Sequence, residues 1–288
     1  MTPRSPFTLS LTALLLIALI FPACSKQMVK GTPSAPPTPI DFALALTYAQ
    51  RASLVYEADA VIRQQTPAGA TVTILPQSAT GVKAYVEIDD AKKLQWVVVR
   101  GTSNLDNVKL DVDYNKVVDA RLQVPLHKGF ADTALQVYRF AKPLLKPGYE
   151  TRVTGHSLGG AAAAIVLMLL KEDGLTLGQA MTFGQPKVTN RQGVAKYRTL
   201  PLLRFVNDKD PVPLLPPLDI ASVLDEGPFQ HFGPEVVLKD GTSYAYYPDH
   251  QASRMSVLSF WATLGNQQVP DHLIANYIQS LTAKTGAR

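Results

Sequence analysis

Residues 153–160 read VTGHSLGG, and the apolar run AAAAI follows directly at residues 161–165. A G-x-S-x-G pattern therefore lies between a predicted strand and a predicted helix, which is the context that a nucleophile elbow requires. This turn is so tight that glycines are needed two positions before and two positions after the serine. The N–H groups that open the following helix would face a developing oxyanion. The pattern predicts that Ser157 is a nucleophile.

The composition is that of a globular protein. The chain has 288 residues, of which 46% are hydrophobic and 18% are charged, so it can bury a substantial core. The formal net charge is +5, but Lys and Arg are scattered along the chain with no basic run. This dispersed charge argues against nucleic-acid binding.

The N-terminal residues predict export. Arg4 precedes an apolar run over residues 9–21, which is short for a membrane span, and Ala23 precedes Cys24, the only cysteine. Residues 1–23 thus resemble a bacterial lipoprotein signal peptide, in which the cysteine becomes lipidated. An ordinary cleaved signal or an uncleaved anchor is the alternative, since Phe21 and Pro22 depart from the usual pattern. Ser25 lacks the aspartate typical of inner-membrane retention, which favours an outer membrane.

Residues 24–39 are rich in proline and predict a semi-rigid tether, and residues 40–288 predict one folded domain. Asp41 is a plausible N-cap for a helix that runs to residue 57. Beyond it, strand and helix patterns alternate, which predicts an α/β fold with a mostly parallel central sheet covered by helices on both faces. The predicted strands cover residues 71–75, 82–88, 94–99, 151–154, 179–183, 202–206, 236–238 and 244–247, and the predicted helices cover residues 129–145, 158–170, 190–197 and two C-terminal segments. The first two strands alternate enough to be half exposed, whereas residues 96–99 predict a strand that is buried on both faces.

A nucleophilic serine needs a base and a group that orients the base. In a fold with this elbow the acid and then the histidine follow the serine along the chain. Asp210 is favoured because it lies in a proline-rich loop, residues 207–213, at the end of a predicted strand. Asp208 in the same loop is the nearest alternative. The remaining candidates are Asp219 and Asp225 for the acid, and His231, His250 and His272 for the base.

Several further motifs resemble the class 3 (fungal-type) lipase family, and they occur in the order found in that family. They extend over roughly residues 41–280. The matching segments are WVVVRGT at 96–102, HKGF at 127–130, TGHSLGGA at 154–161, FGQPKV at 183–188, RFVNDKDPVP at 204–213, HFGPE at 231–235 and DHL at 271–273.

The resemblance implies an α/β-hydrolase fold and a serine ester hydrolase of lipase type. It implies Ser157 as nucleophile, Asp210 as acid and His272 as general base. It also implies an oxyanion hole formed by Thr102 and the backbone N–H of Leu158. No metal and no organic cofactor is expected, and the expected partners are a lipid or ester substrate and a membrane held through the lipidated Cys24. The chain is expected to be a monomer.

With His272 as the implied base, the other four histidines have no predicted chemical role, and no role of any kind is predicted for His250. By the same comparison His127 and His231 look structural, and His156 is expected to pack and hydrogen-bond locally within the elbow.

Two segments leave the substrate open. Residues 103–113 occupy the place of the family's lid, but they are heavily charged, so a fixed polar loop is as plausible as a moving lid. Asp111 and Asp113 provide too few ligands for a cation site. Residues 214–227 form either a wall of the acyl pocket or a loop that covers the core.

The alternative functions on the same scaffold are a phospholipase or an esterase for short or polar esters. A peptidase is disfavoured because the other motifs resemble lipases. An inactive hydrolase fold that serves as a binding protein is the alternative from another class.

Overall fold

A computed structural model of the chain describes residues 33–76, 80–102, 115–216, 227–248 and 270–286. The first helix, α1 (Phe42–Leu54), begins after the predicted N-cap, and an Asp41 carboxylate oxygen accepts the N–H of Leu44 at 2.8 Å. This cap satisfies one of the N–H groups that the first helical turn leaves open. The helix ends before the predicted residue 57, and a second short helix, α2 (Asp59–Gln65), follows it.

Eight of the described strands form one sheet, and two short strands form a separate ribbon. The sheet order is β1-β2-β3-β6-β7-β8-β9-β10, and β4 pairs with β5 in the ribbon. The strands β3, β6, β7, β8 and β9 run parallel, whereas β1, β2 and β10 run antiparallel to their neighbours. The predicted mostly parallel sheet is therefore confirmed. In chain order the strands are β1 (Ala70–Ile74), β2 (Ala84–Asp89), β3 (Leu94–Val99), β4 (Lys116–Val118), β5 (Pro125–His127), β6 (Glu150–His156), β7 (Ala180–Phe183), β8 (Leu202–Asn207), β9 (Glu235–Leu238) and β10 (Tyr244–Tyr247).

Helices cover both faces of this sheet. The remaining helices are α3 (Lys128–Ala141), α4 (Leu158–Glu172), α5 (Arg191–Tyr197) and α6 (Ile274–Thr285). In β3, Val97 and Val99 pack into the same apolar cluster as α3 and α4, whereas Trp96 and Val98 pack into the cluster that contains α1 and α6. Two cores thus lie on opposite sides of one sheet, because successive strand residues point to opposite faces.

One expectation about local structure needs correction, and another lies outside the described residues. The strand over residues 82–88 was expected to be half exposed, but β2 is almost wholly buried. The reason is that Val86 packs into one core and Tyr85 into the other, so both faces of β2 are covered. One C-terminal helix is present as α6, whereas residues 249–269, where the other was expected, lie outside the described residues.

The end of the predicted tether lies against the edge of the sheet. The N–H of Ser34 donates to the carbonyl of Tyr246 in β10 at 2.9 Å. No described helix is both long enough and apolar enough to cross a bilayer.

The carboxyl ends of the parallel strands meet at one end of the sheet, which is the place where α/β proteins build their sites.

Candidate active site

Ser157 lies at the turn between β6 and α4, with backbone angles φ 59° and ψ −133°. A non-glycine residue rarely adopts a positive φ, and such strain concentrates at functional sites. The Ser157 N–H donates to the carbonyl of Phe183 in β7 at 2.9 Å, which fixes the turn against the neighbouring strand. The predicted nucleophile therefore lies on a strained turn at the carboxyl end of a central strand.

The glycines around Ser157 are required by close contacts between backbones. A Cβ atom on Gly155 would collide with the carbonyl oxygen of Gly159 and lie 2.5 Å from its carbonyl carbon. A Cβ atom on Gly159 would collide with the carbonyl oxygen of Val99 at the end of β3. The neighbours in both cases are backbone atoms, which cannot rotate away as a side chain can. The turn thus needs glycine on either side of the serine.

The structure brings the three predicted residues into one hydrogen-bonded chain. His272 Nε2 lies 2.8 Å from Ser157 Oγ, and His272 Nδ1 lies 2.8 Å from Asp210 Oδ2. An ionised carboxylate accepts hydrogen bonds and donates none, so Nδ1 carries the imidazole proton and Nε2 is left to accept the serine proton. All three side chains are buried. This is the arrangement of a nucleophile, a base and a group that orients the base.

Asp210 is held by two donors besides His272. The N–H of Val212 donates to Oδ1 at 2.9 Å, and the hydroxyl of Tyr277 donates to Oδ2 at 2.5 Å. Tyr277 in turn accepts the N–H of Asn207 at 3.1 Å. Burial, followed by the nearby charge of Asp210, raises the pKa of Tyr277 well above its usual value. The phenol therefore keeps its proton and remains a donor to the carboxylate over the working pH range.

The structure distinguishes the two aspartates of the acid loop. Asp208 is exposed, whereas Asp210 is buried and faces His272. His231 does not contact the serine; its Nε2 donates to the carbonyl of Pro213 at 2.7 Å, so it supports the loop that follows Asp210. The backbone of this loop starts at the carboxyl end of β8, as predicted.

The two predicted oxyanion donors adjoin the elbow, Leu158 directly along the chain and Thr102 through Gly101, which packs against Ser157. Thr102 follows β3, and the backbone of the preceding Gly101 packs so close to the elbow that its Cβ would lie 3.1 Å from that of Ser157. Leu158 is the first residue of α4, so its N–H has no partner within the helix. The role of Thr102 and Leu158 as oxyanion donors stays a prediction.

Tyr56, His156 and Tyr277 form hydrogen bonds around the site that the sequence did not indicate. Tyr277 contacts Asp210, and His156 contacts both the backbone of His272 and the hydroxyl of Tyr56. His156 was expected to hydrogen-bond only locally. No spacing rule connects Tyr56 with residues a hundred or more positions away, and the only local hint for Tyr277 is its place one turn into the helix that follows His272.

Several predicted features lie outside the described residues. They are Cys24 and the signal segment 1–23, the lid segment 103–113 with Asp111 and Asp113, residues 217–226 with Asp219 and Asp225, and His250. Within the described ranges, no group of three or more His, Cys, Asp or Glu side chains is arranged to hold a metal ion.

Comparisons with known proteins find similarity to lipases. Residues 96–220 match the family model described as "Lipase (class 3)". The chain is 32% identical over 177 residues to "Secreted mono- and diacylglycerol lipase 1" of Fusarium solani, a match that covers 56% of this chain and 49% of that protein. It is also 32% identical over 173 residues to a lipase of Rhizomucor miehei, with 55% and 46% covered. The chain thus spans about half the length of the curated relatives it matches.

Solved structures extend the likeness over most of the domain. Lipase II from Rhizopus niveus aligns with a TM-score of 0.64 at 24% identity, over 80% of this chain and 92% of that chain. The triacylglyceride lipase of Rhizomucor miehei aligns with a TM-score of 0.62 at 26% identity, over 82% and 94%. These likenesses show that the fold is the predicted α/β-hydrolase fold, and the sequence matches support the predicted relationship to class 3 lipases.

Proposed function

We propose that the protein is a serine carboxylic-ester hydrolase of lipase type that cleaves lipid acyl esters through an acyl-enzyme on Ser157. The observation that carries the proposal is the buried hydrogen-bonded chain Ser157–His272–Asp210 at the carboxyl end of β6. The match of residues 96–220 to the class 3 lipase family model supports the same reaction, and so do the names of the relatives, which are lipases.

The proposed mechanism follows from which atoms carry protons. His272 Nε2 takes the proton from Ser157 as Oγ attacks the ester carbonyl, and Asp210 stabilises the imidazolium that forms. The oxyanion is held by the N–H of Leu158 and by the N–H and hydroxyl of Thr102. Each donor contributes about 3 kcal/mol to transition-state stabilisation. The imidazolium then protonates the leaving alcohol. Water, activated by the same histidine, attacks the acyl-enzyme and frees the carboxylic acid.

The proposed substrates are acyl esters of glycerol. The names of the relatives include mono- and diacylglycerol lipases and a triacylglyceride lipase. A phospholipase or an esterase for short or polar esters is the alternative within the same chemistry. The proposal needs only one copy of the chain, because all three reacting groups belong to a single polypeptide.

The same proposal includes export and anchoring. Residues 1–23 are proposed to act as a lipoprotein signal, Cys24 as the lipidated residue and residues 24–39 as the tether to the domain at 40–288. The relative from Fusarium solani is described as secreted, which agrees with export. Expression of the full chain in a bacterium should place it in the membrane fraction, preferentially the outer membrane. Cys24→Ala should abolish incorporation of a labelled fatty acid, and incorporation that persists would contradict the proposal.

The activity is tested with the full chain in mild detergent on p-nitrophenyl esters from butyrate to palmitate, and on phosphatidylcholine. Hydrolysis is expected, and Ser157→Ala should lower kcat by at least about a thousandfold because the nucleophile is lost. Ser243→Ala, an exposed serine before β10, is the matched control and should keep full activity. The acyl-chain profile separates a lipase from an esterase. A folded protein that hydrolyses none of these esters would contradict the proposal and favour a binding protein.

A further inference from the structure

A second chain of hydrogen bonds joins the two sides of the site through residues that the proposed mechanism does not use. The backbone N–H of Gly101 donates to the hydroxyl of Tyr56 at 3.1 Å. That hydroxyl lies 3.0 Å from His156 Nδ1, and His156 Nε2 lies 2.6 Å from the backbone carbonyl of His272. The chain therefore begins on the residue before Thr102 and ends on the backbone of the proposed base.

The direction of each hydrogen bond follows from the acceptors. A carbonyl oxygen carries no hydrogen, so His156 Nε2 must donate to His272. A neutral imidazole with its proton on Nε2 leaves Nδ1 as an acceptor, so Tyr56 donates its hydroxyl proton to His156. The Tyr56 oxygen still has lone pairs, and it accepts the N–H of Gly101. Every group in the chain is therefore satisfied in one consistent arrangement.

The two ends of this chain are places where small shifts matter. Gly101 packs against Ser157 and precedes Thr102, so its position sets where the Thr102 donors lie. His272 lies in a short 3₁₀ turn (Pro270–His272) just before α6, and it depends on contacts from other segments to fix its backbone. A displacement of about 1 Å in a reacting group can cost a hundredfold in rate.

We propose that Tyr56 and His156 are positioning residues for ester hydrolysis, which hold the oxyanion segment and the backbone of the general base at a fixed separation. The inference rests on the proposed function. Neither side chain is assigned contact with the reacting atoms; both act through Gly101 and His272.

The sequence around Tyr56 is suited to this role. The residue lies just beyond α1, where its N–H donates to the carbonyl of Ser53 at 3.0 Å and fixes the helix end. A Cβ on Gly101 would collide with the Tyr56 hydroxyl and lie 2.6 Å from the carbonyl of His156, so glycine is required for this approach. This series of hydrogen bonds thus depends on the absence of a side chain at Gly101 and on the hydroxyl of Tyr56.

Burial keeps the protons of this chain in place. Burial raises the pKa of Tyr56 to about 12, so its hydroxyl stays protonated at the pH of ester hydrolysis. Burial, followed by the charge of His272, lowers the pKa of His156 well below its usual value. The two imidazole rings have centroids 4.6 Å apart. His156 therefore remains neutral and adds no second positive charge when His272 is protonated during the reaction.

The direct test is Tyr56→Phe in the full chain, which removes one hydroxyl and keeps the ring. With p-nitrophenyl butyrate, kcat should fall about tenfold while KM changes less than about twofold, because the hydroxyl holds Gly101 and His156 and has no proposed contact with the substrate. Tyr48→Phe is the matched control. Tyr48 is also buried and lies in α1, and its hydroxyl donates to the carbonyl of Gln179, before β7 and away from the triad. Loss of the Tyr48 hydroxyl should lower the melting temperature about as much as Tyr56→Phe does, and it should leave kcat unchanged.

A second variant keeps the test decisive if Tyr56→Phe does not fold. His156→Gln retains an amide that can donate to the His272 carbonyl, whereas His156→Leu retains none, so the glutamine variant should keep more of the wild-type kcat. If the wild type is active, two results would overturn the positioning role alone. One is an unchanged kcat in Tyr56→Phe, and the other is an equal loss of kcat in Tyr56→Phe and Tyr48→Phe. Equal kcat for the two His156 variants would do the same. A folded wild type that is inert on every ester would instead overturn the proposed function.

Discussion

Ser157 is held by the backbone on both sides of it, whereas Asp210 and His272 are brought together by contacts between distant parts of the chain. At the elbow the close contacts join Gly155 to Gly159 and Gly159 to Val99, and all of them are contacts between backbone atoms. The proposed acid and base come together across 62 positions, and the proposed base and Ser157 across 115. The elbow should therefore be inseparable from the fold, while the acid–base pair can be disturbed in a folded protein.

The largest expected effect on stability comes from disturbing the elbow itself. Gly155→Ala places a Cβ against the backbone of Gly159, which has no freedom to move, so the free energy of unfolding should fall by about 4 kcal/mol. A domain of this size should then melt about 10 °C lower, and its activity should disappear at the same lower temperature at which it unfolds. Differential scanning calorimetry beside the hydrolysis assay measures both.

Gly129→Ala is the control for this substitution. Gly129 lies in the first turn of α3, and its Cβ would make only ordinary contacts, 3.6 Å from the nearest atom of His127. Its melting temperature should stay the same or rise slightly, because alanine favours a helix. If Gly155→Ala melted like Gly129→Ala, the view that backbone packing builds the elbow would be wrong.

The acid–base pair should show the opposite behaviour. Asp210→Asn keeps the shape of the side chain but cannot hold the His272 tautomer, so kcat should fall by about 10⁴-fold, as the corresponding substitution does in a serine protease, while the fold is retained. Asp208→Asn is the matched control, since that carboxylate is exposed in the same loop, and its kcat should stay within about twofold. Steady-state kinetics with circular dichroism would check both variants. A similar kcat for the two would contradict the assignment of Asp210.

A smaller effect is expected at Gly184, where the backbone meets the acid–base pair. Its φ is 57°, and a Cβ there would lie 2.8 Å from His272 Cε1 and 2.9 Å from Asp210 Oδ2. Gly184→Ala should displace the pair and lower kcat about a hundredfold. It should also cost about 1 to 2 kcal/mol of stability, because alanine is strained at positive φ.

Gly174→Ala separates the two causes. Gly174 has a φ of 73° and no atom within 4 Å of its Cβ position, so the strain is similar but nothing is displaced. Both variants should lose comparable stability in urea unfolding, and only Gly184→Ala should lose activity. Full activity in Gly184→Ala would mean that the pair tolerates displacement better than its packing indicates.

The contrast between the two regions also explains what the sequence could predict. The elbow is written in contiguous residues, so its strand, turn and helix could be read from the pattern around Ser157, and the sheet followed from the alternation of strands and helices. The residues alone favoured Asp210 but left Asp208 as an alternative, because both lie in one loop with the same composition. Only the direction of each side chain distinguishes them, and tertiary packing sets that direction.

The features that were missed are short or non-local. The helix α2 and the ribbon of β4 and β5 are too brief for hydrophobic periodicity to reveal them. Tyr56 and Tyr277 contact the site across long separations, and a hydrogen bond of that kind leaves no pattern in a single sequence. The prediction that β2 is half exposed was wrong because apolar residues on both of its faces are covered.

The most direct test of the account is covalent labelling with a p-nitrophenyl alkylphosphonate, which traps an activated serine. The full chain should release one p-nitrophenolate per polypeptide, and mass spectrometry should place the adduct on Ser157. His272→Ala should slow the labelling by at least about a thousandfold, because no base would remain to take the serine proton. A folded wild type that is not labelled, an adduct on another residue, or equal labelling rates in both proteins would contradict the account.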